Sequence, residues 1–112
     1  MCFFFINCTS QEGVKSISTI ELKLLLEKGD IQLLDVRTPK EIEQGFIEIA
    51  KFANFFDHDF YIKAAKQLDK RKPAYLYCRS GARSVKSAKI LQEKGYKVYN
   101  VIGGYNKWKE EN

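Results

Sequence analysis

One histidine, two prolines and three cysteines are all that this 112-residue chain holds of those residue types. A single histidine excludes a two-histidine metal site built from one chain. Three cysteines fall short of the dense, even-numbered sets that staple small secreted domains. So few prolines, with seven glycines, exclude a collagen-like or low-complexity chain. No apolar run approaches the ~20 residues of a membrane-crossing helix, and the one at the N-terminus stops at Ile6. No transmembrane segment is therefore expected.

What is present suits one globular domain. Hydrophobic residues make up 45% of the chain, enough for a core. The length lies in the single-domain range of roughly 100–150 residues. The formal charge of +5 is unevenly spread. Residues 1–56 carry 6 basic and 8 acidic side chains, a net of −2, and residues 57–112 carry 13 and 6, a net of +7. The longest basic run, Lys70-Arg71-Lys72, is too short to support a nucleic-acid partner. A field that attracts a small anion fits the basic half equally well.

Residues 1–13 read as a flexible segment apart from the domain, which is expected over 14–112. An apolar stub ends at Cys8, and polar Thr9-Ser10-Gln11-Glu12-Gly13 follows. A secretory signal needs a positive start and ~7–15 apolar residues, and the stub has neither. It resembles the trimmed end of a bacterial lipoprotein signal, which would lipidate Cys8 and anchor the protein at a periplasmic membrane face. Asn7 fits that poorly. The other reading is a sticky cytoplasmic N-terminus, and the compartment stays open between the two.

Past residue 14, strands and helices alternate. Ser18-Thr19-Ile20-Glu21 is a capping box, with Ile17 and Leu22 at the staple positions, so a helix is expected to about Lys28. Ile31–Val36 is a short apolar run of the kind buried on both faces of a parallel sheet. Thr38-Pro39-Lys40-Glu41 is a second capping box, opening a brief helix that ends near Gly45. A weak strand (51–54), a helix from Asp57 or Asp59 through Leu68, a strand (74–77), a helix (84–94), a strand (98–101) and a terminal helix after Gly103-Gly104 complete the pattern. Alternation of this kind implies an α/β sheet with helices on both faces.

Chemistry concentrates where the strand ending at Tyr77 runs into Cys78-Arg79-Ser80-Gly81-Ala82-Arg83 and then a helix. Open α/β sheets bind ligands at this edge. Backbone N–H groups of a tight loop, the positive end of a helix and two arginines all favour a thiolate over a thiol. A buried structural cysteine is the plain alternative for Cys78 taken alone.

Three stretches together resemble the single-domain rhodanese-like proteins: Leu34-Asp35-Val36-Arg37-Thr38-Pro39-Lys40-Glu41, Cys78-Arg79-Ser80-Gly81-Ala82-Arg83-Ser84, and Gly103-Gly104-Tyr105-Asn106-Lys107-Trp108. They run in the family's order and spacing, over about residues 16–110. The resemblance implies the rhodanese-like three-layer α/β fold, with a five-stranded, mostly parallel sheet flanked by helices. It implies sulfurtransferase chemistry of the thiosulfate sulfurtransferase type, with no metal and no organic cofactor. Cys78 then matches the cysteine that carries a persulfide, and residues 79–83 match the loop that holds the sulfur and the donor anion. The implied partners are a small sulfur-containing anion such as thiosulfate, a thiol or cyanide acceptor, and a persulfide-donor or thiol-acceptor protein. One departure stands out. Where the family often reads Gly-His-Ile-Pro-Gly-Ala, this chain reads Gly45-Phe46-Ile47-Glu48-Ile49-Ala50.

Two other functions compete. A persulfide carrier or docking module would share the cysteine loop without turning over thiosulfate. Phosphatases and arsenate reductases of related fold use a Cys-x5-Arg loop, one residue longer than Cys78-x4-Arg83 here, to enclose a tetrahedral oxyanion. Among supporting residues, Asp35 and Arg37 either orient the loop or form a structural pair, Arg37 with Glu41 being one pairing. Arg79 projects as a donor contact, and Arg83 braces the loop or meets the anion. Ser80 and Ser84 offer hydroxyls to the sulfur, Ser84 being equally a plain N-cap. His58 reads as a solvated residue, while Tyr105 and Trp108 read as packing for the terminal helix.

Overall fold

Side chains alternate across each strand, and that alternation sorts the core into two halves. The computed structural model describes residues 13–112. All but Gly13 of the segment expected over residues 1–13, and with it the expected lipidation of Cys8, lie outside the described residues. The elements are β1 (Lys15–Ile17), α1 (Thr19–Lys28), β2 (Gln32–Asp35), α2 (Pro39–Glu43), β3 (Lys51–Phe52), α3 (Phe60–Ala65), β4 (Ala74–Tyr77), α4 (Ala82–Glu93), β5 (Val98–Val101) and α5 (Gly104–Glu111). The strands form one parallel sheet in the order β1-β5-β4-β2-β3. Leu34, Leu76 and Val98 pack on one face with Phe60 and Ala64 of α3 and Ala88 and Leu91 of α4. Leu33, Tyr77 and Val101 pack on the other face with Leu22 of α1 and with Tyr105 and Trp108 of α5. The result is the three-layer α/β arrangement that the alternating pattern implies.

Both capping boxes form. The Ser18 hydroxyl accepts from Glu21 N–H at 3.0 Å, and Thr38 and Glu41 make the same reciprocal pair at the start of α2. Each cap contributes about 1 kcal/mol to its helix. The differences from expectation are local. β1 is not legible, because two of its three residues are exposed and it gains its identity only by pairing with β5. β3 shrinks to two residues at the sheet edge. The largest difference bears on function: α4 begins at Ala82, so Ser84 lies inside the first turn and Gly81 is the N-cap.

Candidate active site

Strand parity decides where Cys78 points. It extends the Ala74, Leu76 series of β4 and so faces α3 and α4. It is 1% exposed, and the helix that follows starts directly against it. Gly81 carries no side chain to cap that helix, and the sulfur takes the place of one. Gly81 N–H donates to Cys78 Sγ at 3.1 Å, and the Ser84 hydroxyl lies 3.4 Å from it. Gly81 holds φ at +129°, which a side chain would resist even though the space around it is open. Burial pushes the Cys78 thiol up. The Ser84 hydroxyl and the backbone N–H groups of Ser84, Gly81 and Ser80 more than offset it, so the thiol sits below its ordinary value. Away from bulk water these hydrogen bonds act at full strength.

Two residues with no role assigned from the sequence complete this pocket: Asn100, which was not singled out, and Gly104, which was named only within its motif. Asn100 stands opposite Leu76 across the β4–β5 ladder, on the same face, and its side-chain carbonyl accepts from the Ser84 hydroxyl. An amide in an otherwise apolar strand was the available signal. Gly104 is the second. The loop's carbonyls are turned away from the sulfur by α5: Tyr105 N–H donates to Cys78 C=O at 2.8 Å and Asn106 N–H to Arg79 C=O at 3.0 Å. Any Cβ on Gly104, where φ is +55°, would collide with the backbone of Cys78 and Arg79. Gly104 is thus the close-approach site of the pair.

The arginines divide. Arg79 is exposed beside the loop. Arg83 makes a two-pronged ion pair with Glu41, both bonds 2.8 Å long, so it ties α4 to α2 and is not free for an anion. That pairing corrects the one suggested for Arg37 with Glu41. Arg37 is instead locked to Asp35 (Nη2 to Oδ2, 2.7 Å), donates to Gly45 C=O, and lies 4.4 Å from the centre of the Tyr105 ring. Asp35 is opposite Tyr77 in register, on the face of the sheet away from Cys78. The pair therefore shares the sheet's edge with the sulfur and braces the far side of it. Glu41 is held down to about 2 by the Arg83 guanidinium, with burial opposing and the Thr38 N–H and hydroxyl adding to the effect. Ser80 and Ala82 are exposed on the loop and at the helix start. His58 is exposed, and Tyr105 and Trp108 pack as expected. Among the described residues no three His, Cys, Asp or Glu side chains converge as metal ligands would.

The arrangement can stabilise a thiolate on Cys78. Comparison with known proteins gives the family. Residues 18–111 match the family model described as a rhodanese-like domain. The chain belongs to the rhodanese-like family of sulfurtransferases. It is 38% identical over 96 residues to a protein of Coxiella burnetii named thiosulfate sulfurtransferase GlpE, covering 85% of this chain and 87% of that one. It is 35% identical over 114 residues to thiosulfate sulfurtransferase 18 of Arabidopsis thaliana, covering 91% and 83%. A rhodanese-like domain protein of Staphylococcus aureus superposes with a TM-score of 0.76 at 36% identity, over 85% of this chain and 91% of that one.

Proposed function

We propose that this protein transfers sulfane sulfur from thiosulfate, or a similar small donor, to a thiol or cyanide by way of a Cys78 persulfide. The Cys78 thiolate attacks the outer sulfur of thiosulfate. The sulfur–sulfur bond of the donor breaks, its electron pair leaves with sulfite, and the outer sulfur stays on Sγ. An acceptor thiolate or cyanide then attacks that outer sulfur, and the electron pair of the breaking bond returns to Cys78 as thiolate. This is two-step covalent catalysis. The loop donors stabilise charge as it moves between the two sulfurs. Arg79, exposed and next to Cys78, meets the donor's sulfonate in this reading.

The observation that carries this reading is the sulfur acting as the cap of α4, with Gly81 N–H at 3.1 Å and the Ser84 hydroxyl at 3.4 Å. A loop closed this tightly suits one sulfur better than a tetrahedral phosphate. Arg83, engaged by Glu41, supports the same choice over an oxyanion-cleaving enzyme. The test is steady-state transfer to cyanide at several fixed thiosulfate concentrations. Parallel double-reciprocal lines are expected, together with a loss of about 10³-fold or more in Cys78→Ser. Intersecting lines, or turnover retained in Cys78→Ser, would contradict the mechanism.

A further inference from the structure

Glu48-Ile49 stands where the family often has Pro-Gly, and the sulfur site makes no use of it. Ala50 N–H donates to Ile47 C=O at 2.9 Å, and Ile47 N–H donates to the Tyr77 hydroxyl at 3.0 Å. Glu48 and Ile49 thus form the corner of a turn that β4 holds in place. They bring a charge where proline has none and an apolar side chain where glycine has none. The turn borders a cavity of about 290 Å³, shared with the C-terminal half of α1 and with Trp108 of α5. Its apolar wall is Leu26, Ile47, Ile49 and Trp108. Ile49 is 44% exposed and Trp108 half-buried, so both have surface left to cover. The charged residues at the cavity are Glu27, Asp30 and Glu48 against one lysine, Lys23, a formal net of −2 in a chain of +5. All four are exposed, and among the described residues none of them is in an ion pair.

Size and charge together select the occupant. The volume lies at the lower end of the roughly 300–1,000 Å³ of small-molecule pockets, which suits a body of about one ring. The apolar wall favours an apolar body. The excess of carboxylates favours a cation and repels an anion. Tryptophan is also the aromatic side chain that attracts a cation most strongly. We propose that this cavity binds a small organic amine, an ammonium group on an apolar body the size of one ring, with the body against Ile49 and Trp108 and the charge toward Glu27, Asp30 and Glu48. No residue of the cysteine loop lines the cavity, so the site is separate from the sulfur chemistry.

Trp108 is the chain's only tryptophan, so its fluorescence reports on this cavity alone. The test titrates the protein with 2-phenylethylamine, 2-phenylethanol and 3-phenylpropionate, which share a ring and differ in charge. A saturable change is expected with the amine, at a Kd on the order of 1 mM for so small a ligand. The alcohol should bind roughly fivefold more weakly and the carboxylate more weakly still, with the differences shrinking in high salt. Glu48→Gln should weaken the amine by roughly twofold to fivefold, as loss of an exposed ion contact does, and leave the alcohol unchanged. Lys23→Gln should tighten the amine by about twofold, a sign that general loosening of the fold would not give. Ile49→Gly should weaken amine and alcohol alike, because the wall is lost to both. Cys78→Ser should bind the amine as wild type does, whatever the transfer assays give. No saturation with the amine, equal affinity for all three ligands, or an unchanged amine affinity in Glu48→Gln would overturn the assignment. Saturation by acetyl-arginine amide with none by the amine would overturn it in favour of a basic side chain from a partner protein. Loss of amine binding in Cys78→Ser would overturn the separation of the two sites.

Discussion

Ser84 has one hydroxyl proton and three neighbours that can accept it: Asn100 Oδ1, Gly81 C=O at 3.1 Å and Cys78 Sγ at 3.4 Å. Only when Cys78 is ionised is the sulfur the strongest of the three acceptors, so the hydroxyl selectively stabilises the thiolate. Ser84→Ala is therefore expected to raise the Cys78 pKa. Alkylation by iodoacetamide should slow several-fold near pH 7 and converge with wild type at high pH, where both thiols are ionised. Unchanged pH profiles would remove Ser84 from the thiolate's support. Glu41 gives a second prediction of this kind. Its folded value of about 2 lies below the ordinary 4.5, so its contribution to stability is present above about pH 4.5 and is lost as the pH falls toward 2. Glu41→Gln should cost about 1–2 kcal/mol at pH 6 and much less at pH 3, read from urea unfolding at both pH values. A gap that did not change with pH would mean that the ion pair with Arg83 contributes nothing measurable.

At the scale of elements, the cysteine loop is shaped by what bounds it. α4 supplies donors from beyond the sulfur, and α5 takes up the loop's carbonyls from behind. Gly104→Ala is expected to push α5 off the Cys78 and Arg79 backbone, costing about 1–3 kcal/mol and more than tenfold in sulfur transfer. A thermal melt and a transfer assay on that variant check both, and wild-type activity in it would sever α5 from the loop's geometry. Much of this was legible beforehand. Ser18 and Glu21, and Thr38 and Glu41, announced two helices by their three-residue spacing alone. Cys78 followed from a strand, a polar glycine loop and a helix in succession. Other features were hidden because they depend on partners far along the chain. β1 has no pattern of its own, Asn100 matters only once β5 sits beside β4, and Arg83 meets Glu41 across 42 positions. The start of α4 was misplaced by two residues because Ser84 is a good cap by type, whereas the sulfur already fills that role.

For the whole molecule, five parallel strands bring their C-terminal ends to one edge, and the cysteine loop is built there. The two core halves keep that edge rigid. Leu76 is fully buried in the central strand between α3 and α4, two residues before Cys78. Leu76→Ala should destabilise the domain by about 2–5 kcal/mol, a large share of the ~5–15 kcal/mol typical of such a domain, visible as a lower urea midpoint. A loss under about 1 kcal/mol would mean that the site is less tightly supported than the packing implies. The outer strands, β1 and β3, are only three and two residues long and each begins with lysine, which limits sheet-to-sheet association.

The central claim is that Cys78 carries the sulfur. Intact-protein mass spectrometry after incubation with thiosulfate, on wild type and Cys78→Ser side by side, tests it most directly. Wild type should gain one sulfur, about 32 Da, that a thiol removes, and the variant should gain none, as covalent transfer through this residue requires. An unmodified wild type, or the same gain in the variant, would contradict it.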